Sequence, residues 1–405
     1  MADDPLPSGM QLFAHDPSFR EDPDTPLNAL RERAPARFDD ATASVILTRY
    51  NDIRGVVNDR TLWRHPSRAA PDSLVYRFQT GPAGQDSQTE SILFLDDPDH
   101  QRIRQPLTQA FYKRASQMRP ATERIVTGVL DGLSGRSQID LIAEVAVPIP
   151  IFVIADILGV PRDRLAAFRD WSEAIILSLN PFRTAEESDR VAWARDELRE
   201  FFLSEMAARR TTPSDDLLTD MVQLQASGAP LTDAEIAINC SALLVGGNLT
   251  TTDLIGNGVL LLLRHPDQAE KLRADPALIA SAIEEILRLE GPVMQTGRVA
   301  SRDMDIGGCP IRQTTPLSTY LRAANRDPAV FPDPDRFDIT RKGAPNVAFG
   351  GGAHICIGAP LARLEAQIAL PMLFARWPQM RLTEEPLAWR ALPGFRGLER
   401  LIVEV

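Results

Sequence analysis

Cysteine is scarce: Cys240, Cys309 and Cys356 are the whole supply in 405 residues. Three scattered thiols with no CxxC pair exclude a disulfide framework and a zinc cluster, and they fit a reducing, cytoplasmic setting. A long apolar run is also missing. The longest, Val145 to Ala155, is broken by Pro148 and Pro150 and falls short of the ~20 residues that cross a bilayer, so no membrane anchor is expected. An excess of basic charge is absent too. With 55 acidic against 44 basic residues the net charge is −11, which argues against a nucleic-acid partner held by phosphate neutralisation. The opening residues, MADDPLPSGM, are acidic and proline-broken, unlike a secretory or mitochondrial leader.

What is present is ordinary for a globular protein: 44% apolar and 24% charged residues, with length enough for one large enzyme domain or two to three smaller ones. One stretch stands apart. Phe349 to Gly358, FGGGAHICIG, sets Cys356 among Gly350, Gly351, Gly352 and Gly358. Glycine lets the backbone turn tightly and approach a flat ligand closely. Pro360 opens the helix-like run LARLEAQIAL, and a sulfur at a helix N-terminus is favoured as the thiolate, a ligand for soft metals. From these ten residues alone, an inert cysteine in a glycine loop is an equal reading.

Taken in order, residues 1–40 read as an extended N-terminal segment with a short helix near Leu27 to Ala34. SVILTRY (44–50) reads as a strand and the following NDIRGVVND as a helix. Residues 66–95 lose their periodicity, and loops of that length are functional or mobile. In LDDPDHQRIRQPLTQAF, Asp97 or Asp99 is placed to cap a helix carrying His100 and Arg104 on one face, able to hold a carboxylate or to form a solvated surface. Helices are expected near 121–133, 152–158, 162–177 and 185–209, with breakers at 178–184. Thr232 and Glu235 make a capping box for a helix running to about His265, on the order of 50 Å long at ~1.5 Å per residue. Gly246 and Gly247 interrupt its middle at a cost of about 1 kcal/mol each relative to Ala. Such a violation marks either close helix packing or a functional groove.

Further on, Glu285 and Arg288 stand at i, i+3 spacing, Gly307 and Gly308 mark a turn between strands, and the C-terminal ALPGFRGLERLIVEV reads as a β-hairpin. Pro371 predicts a kink or an early end to the helix after Cys356.

Phe349, Gly350, Gly352, His354, Cys356 and Gly358 together fill every fixed position of the haem-binding loop of the cytochromes P-450, and the chain resembles that haem-thiolate monooxygenase family from about Asp97 to Val405. The resemblance implies a mainly α fold with small β-sheets: a triangular prism with haem between the long central helix and the cysteine-loop helix, formed by residues 1–405 as a single catalytic domain of soluble bacterial type. Residues 66–95 and 175–190 would then be mobile substrate-access regions.

It further implies haem b, iron protoporphyrin IX, with Cys356 as axial thiolate, and His100, Arg104, Arg298 and His354 on the propionates beside Phe349, Gly350 and Gly358. LLVGGNLTTTD resembles the oxygen groove, with Thr250 as its threonine and Gly247, Asn248 and Asp253 as catalytic neighbours. Most members place an acid just before that threonine. This chain has Leu249, which cannot relay protons.

Glu285 and Arg288 match the ExxR element, with Arg336 of PDPDRF as the expected third, structural member. Leu74, Val75, Phe78, Ile176, Leu179, Leu244, Val293, Met294, Thr296 and Leu392 fall at positions that line the family's substrate pocket. Implied partners are a hydrophobic small molecule, dioxygen, and NAD(P)H-derived electrons through a ferredoxin-type donor and its reductase, with the chain a monomer. A peroxide-using enzyme and a non-catalytic haem-thiolate sensor are the alternatives.

Overall fold

The computed structural model describes residues 5–13, 15–80, 91–180 and 182–405, without the side chains of residues 78–80 and 179. The chain divides into two compact units. The first holds residues to Gln85, Gly256–Cys356 and Pro386–Arg400; the second holds Asp86–Ile255, Ile357–Glu385 and Leu401–Val405.

The first unit is built on a four-stranded sheet in the order Ala36–Asp39, Ser44–Leu47, Pro316–Thr319, Thr296–Val299. The outer pairs are antiparallel and the central pair parallel, with Val45 opposite Leu317. Alternation along Ser44–Leu47 sorts its side chains into two cores. Val45 and Leu47 pack with Tyr50, Ile53, Val57, Leu317 and Phe331, while Ile46 joins Leu12, Phe19, Leu30 and Met294. The helix Tyr50–Asn58 and the hairpin Met304–Ile306/Cys309–Ile311, turning at Gly307 and Gly308 with positive φ, follow the sequence expectation.

The N-terminal segment is more structured than its Asp and Pro content suggests. Asp16 caps a short helix, Pro17–Glu21, and a second runs Asp24–Arg33. The buried carboxylate of Asp39 fixes Gly9 and Thr42 through their backbone N–H groups, at 2.8 and 3.0 Å. Within the unexpectedly ordered part of 66–95 lies the helix Leu74–Thr80. The expected C-terminal hairpin is not formed. Leu398–Arg400 pairs with Ala388–Trp389, whereas Ile402–Glu404 pairs with Gln138–Asp140 and Arg381–Leu382 in the second unit. Two neighbouring strands thus serve different sheets, which alternation alone cannot reveal.

The second unit is helical. Its principal helices are Asp99–Ala115, Arg119–Asp131, Pro148–Leu158, Leu165–Ile176, Ala185–Thr211, Leu217–Ala226 and Ala359–Arg376, and the long helix Asp233–Arg264 gives this unit its residues up to Ile255. The box at Thr232 is present: Thr232 N–H donates to Glu235 and Glu235 N–H to Thr232 Oγ1, at 2.8 and 3.2 Å. Asp97 and Asp99 do not cap their helix; Pro98 is the N-cap residue and Asp99 lies in the first turn. Pro148 and Pro150 fall in the first turn of Pro148–Leu158, where a missing N–H is harmless, so that helix starts earlier than expected. Helix Ala359–Arg376 runs past Pro371.

Gly159 ends Pro148–Leu158 with φ +78, and a Cβ there would lie 2.1 Å from Asp216 Oδ2. Asp216 is fixed in turn by Arg209 at 2.8 Å and caps the next helix at Thr219.

Buried charge stabilises the first unit. Glu290 accepts from Arg322 at 2.9 Å, near Arg326 and Arg396, and Arg322 also holds Asp24. Burial pushes the Glu290 carboxyl up, but Arg322, Arg396 and Arg326 together outweigh it and hold the pKa at about 2, below the ordinary 4.5. A carboxyl depressed on folding stabilises above its unfolded value and loses that contribution as pH falls towards the folded one. The urea midpoint should therefore decline between about pH 4.5 and 2, with a shallower decline in Glu290→Gln.

Candidate active site

Cys356 sits where backbone packing holds it out. The glycine turn lies on the end of helix Tyr50–Asn58. A Cβ at Gly351 would be 2.8 Å from Val57 Cγ2, and one at Gly352, with φ +63, would be 2.5 Å from the Val57 carbonyl oxygen. Gly350 also has positive φ. Neither a larger side chain nor an ordinary backbone conformation is accommodated at Gly352. The turn closes with Cys356 N–H donating to Phe349 O at 3.0 Å, leaving Cys356 and Ile355 exposed.

The other thiols are different. Burial pushes Cys240 up to about 12 and raises Cys309. Arg298 reaches the same place from strand Thr296–Val299: its guanidinium is buried and donates to Val57 O at 3.3 Å and Gly297 O at 2.8 Å. Arg298, Val57 and the glycine turn are thereby brought together, with His354 in the turn itself.

The Glu–Arg element is present with a different third member. Glu285 and Arg288 are both buried and doubly bonded, at 2.7 and 2.8 Å. The second cation on Glu285 is Arg341, whose Nε lies 3.0 Å from Oε1. Arg336 is exposed; only its carbonyl takes part, accepting from Arg288 at 3.1 Å and Arg341 at 3.0 Å. The segment turns after Asp333, so the Arg336 side chain leaves while its backbone enters. Spacing could not separate these two arginines.

Among the residues of the first unit expected to line a pocket, Val293 pairs with Phe395, and Met294 N–H donates to Gly394 O at 2.9 Å. The 392–395 turn, with Leu392 buried, thus lies beside Val293 and Met294. Thr296 accepts from Arg64 at 3.2 Å, a residue the sequence reading missed. Leu74 and Val75 begin a helix and are partly buried. The side chains of Phe78 and Leu179 lie outside the described residues.

In the second unit the long helix passes its glycines without a break. Gly246 is exposed and a Cβ there would meet nothing within 4 Å, whereas at Gly247 it would lie 3.5 Å from Ile154. One glycine therefore faces open space and the other a helix, so both readings of the pair hold. Thr250 Oγ1 donates to Gly246 O at 2.7 Å, one turn back along the open face. Leu249 is buried, as is Leu244. Asn248, 4% exposed, donates to Ser172 Oγ at 2.9 Å, tying the long helix to Leu165–Ile176, which carries the buried Ile176. Asp253 is fully buried.

His100 and Arg104 share the helix Asp99–Ala115. Burial and the Arg104 charge hold the His100 imidazole below its usual pKa, against the opposing pull of Asp97. Lys113 and Arg114 both bind Asp220, and Arg114 also binds Asp215.

An exposed thiol on a rigid glycine turn and a buried arginine against that turn fit the donor set of a haem-thiolate protein. The comparisons agree. Residues 171–379 match the family model described as Cytochrome P450. The chain is 38% identical to Cytochrome P450 107B1 of Saccharopolyspora erythraea over 97% of each chain. It is 35% identical to the vitamin D(3) 25-hydroxylase of Pseudonocardia autotrophica, covering 95% of this chain and 94% of that one. The crystal structure of P450BioI in complex with hexadec-9Z-enoic acid ligated acyl carrier protein superposes with a TM-score of 0.87 at 34% identity, covering 96% of this chain and all of the other. The chain belongs to the cytochrome P450 family, with its mainly helical fold and small sheets, and is an enzyme of the monooxygenase class. The family implies haem held by a cysteine thiolate. Among the described residues no helix is long and apolar enough to cross a membrane.

The Glu285 arrangement carries a direct test. Arg341→Ala removes a charge-assisted bond from a buried carboxylate and should cost roughly 1.5–3 kcal/mol, with poorer haem retention. Arg336→Ala should stay within about 0.5 kcal/mol of the parent. Urea titration of the two variants checks both values.

Proposed function

We propose that this chain inserts one oxygen atom from dioxygen into a C–H bond of a small or medium hydrophobic molecule, with electrons from a separate ferredoxin-type donor and its reductase. The observation that carries the reading is the presentation of Cys356 on a turn where neither Gly351 nor Gly352 has room for a side chain. Haem b held there by the Cys356 thiolate would supply the oxygen-activating chemistry. Cys356 is the proposed ligand. His100, Arg104, Arg298 and His354 are proposed to bind the propionates through charge-assisted hydrogen bonds, with Phe349, Gly350 and Gly358 shaping the loop.

The rest of the chemistry falls to the groove. Thr250 lies on the open face beside Gly246, and its hydroxyl, now donating to Gly246 O, can turn to hold a water or an oxygen atom. Gly246 leaves the space that such a guest needs. Leu249 contributes no proton, and Asn248 is engaged by Ser172, so protons must come from elsewhere. A peroxide-using enzyme is the second reading, and Leu249 favours it, because peroxide carries its own oxygen and protons.

Val293, Met294, Thr296 and Leu392, with Leu74, Val75, Phe78, Ile176, Leu179 and Leu244, are the proposed pocket residues; their apolar character supports a hydrophobic substrate. We place the whole chain in one catalytic domain, cytoplasmic and monomeric.

A library of terpenoids, fatty acids and aromatics, screened by the Soret shift of the haem-loaded protein, tests the substrate reading. With a hit in hand, Thr250→Ala should lower product formed per electron consumed, and Leu249→Glu should raise it under dioxygen while lowering peroxide-driven turnover. If both variants match the parent in both assays, the groove is not the oxygen site.

A further inference from the structure

The turn at 392–395 has little of its own to hold it. Phe395 N–H closes it on Leu392 O at 3.1 Å, with Pro393 and Gly394, φ +79, at the central positions of a type II turn. The strands below it, Ala388–Trp389 and Leu398–Arg400, are short and shift register between Leu398 and Arg400. Such a two-stranded ribbon is marginal by itself. The position of Leu392 is therefore set by what grips the turn from outside.

Arg396, directly after the turn, is gripped through backbone and side chain alike. Its N–H donates to Pro292 O at 2.8 Å, and its carbonyl accepts from Asn257 Nδ2 at 3.0 Å. Asn257 is fully buried on the long helix and also donates to Glu290 O at 2.9 Å. The Arg396 guanidinium stacks 3.4 Å from the centre of the Trp389 ring and faces Glu290 Oε2 at 3.5 Å. It also donates to Arg20 O in the helix Pro17–Glu21. Trp389 belongs to the strand that enters the turn, so one side chain ties both legs of the ribbon to the N-terminal segment. Phe19 of that same short helix shares a core with Met294. A methionine would fill this volume without burying a charge. A guanidinium is required where its planar fork and its stacking face are used together.

We propose that Arg396 is a positioning residue that determines substrate specificity: it fixes the 392–395 turn against residues 292–294, with the helix Pro17–Glu21 as the backing of that wall. The inference rests on the reading of Val293, Met294 and Leu392 as pocket residues of a haem-thiolate enzyme. Arg396 acts through Leu392, by setting where that side chain stands.

The test titrates the haem-loaded protein with imidazole and with 1-octylimidazole, whose ring nitrogen ligates haem iron and shifts the Soret band. The octyl chain adds contact with the pocket wall, so the ratio of the two dissociation constants reports the wall and imidazole alone reports the iron. Arg396→Met should cut the preference for 1-octylimidazole roughly tenfold, with imidazole binding within about twofold of the parent. Arg396→Lys keeps a charge for Glu290 but has no planar fork; it should cut the preference in the same direction, and it decides the matter if the methionine variant fails to fold. Arg326→Met is the matched control. Arg326, like Arg396, is 6% exposed and lies 3.5 Å from a Glu290 oxygen, but its other bonds go to Asp24, Asp335 and Leu289 O. That variant should lower the urea midpoint and keep the parent ratio.

An unchanged ratio in the Arg396 variants overturns the proposal. So does an equal drop in Arg326→Met, which would mark Arg396 as a stabiliser of the charge cluster alone. Leu392→Ala separates these results from failure of the pocket reading. If it too keeps the parent ratio, Leu392 lines no pocket and both readings fall; if it loses the preference while the Arg396 variants keep it, only the role of Arg396 falls. A parent whose Soret band ignores imidazole would remove the haem reading itself.

Discussion

A cysteine can be offered to a metal only if the backbone holds its sulfur away from the core, and here that constraint is met by contact without side chains. Gly351 and Gly352 press on Val57 and Asn58 so closely that a Cβ would collide with backbone or side-chain atoms. Arg298 is bonded to the same Val57 carbonyl, so the turn, the helix end and the arginine share one anchor. The Glu285, Arg288 and Arg341 cluster fixes the preceding segment by gripping the carbonyls of Pro334 and Arg336. Removing one partner would leave buried charge uncompensated, which is why such clusters are costly to break.

The second unit is built of regular elements. Its long helix keeps helical geometry through two glycines, and the exposures of Gly246 and Thr250 against the burial of Asn248 and Leu249 define an open face and a packed one. The packed face carries the Asn248–Ser172 bond, which commits the residue one might otherwise enlist as a proton carrier.

Local rules made much of this legible. The Thr232 box, the Gly307–Gly308 turn and the glycine loop with its cysteine each follow from a few residues whose physics is self-contained. What stayed hidden depends on contacts distant in sequence. Arg336 and Arg341 differ by five positions, and only the turn after Asp333 decides which side chain meets Glu285. Leu398–Arg400 and Ile402–Glu404 look like one hairpin but pair with different strands. Nothing in LARLEAQIAL says which face of its helix is covered, so the burial of Glu365 was not legible. The helix Leu74–Thr80 was obscured by a stretch with little periodicity.

The account stands or falls on Cys356 as the iron ligand. The most direct measurement is the spectrum of the ferrous carbon monoxide adduct of the haem-loaded protein beside that of Cys356→His. A red-shifted thiolate-type Soret band in the parent, replaced in the variant by the band of an imidazole-ligated haem, is the predicted result. The same band in both proteins, or no haem bound by the parent, would contradict it.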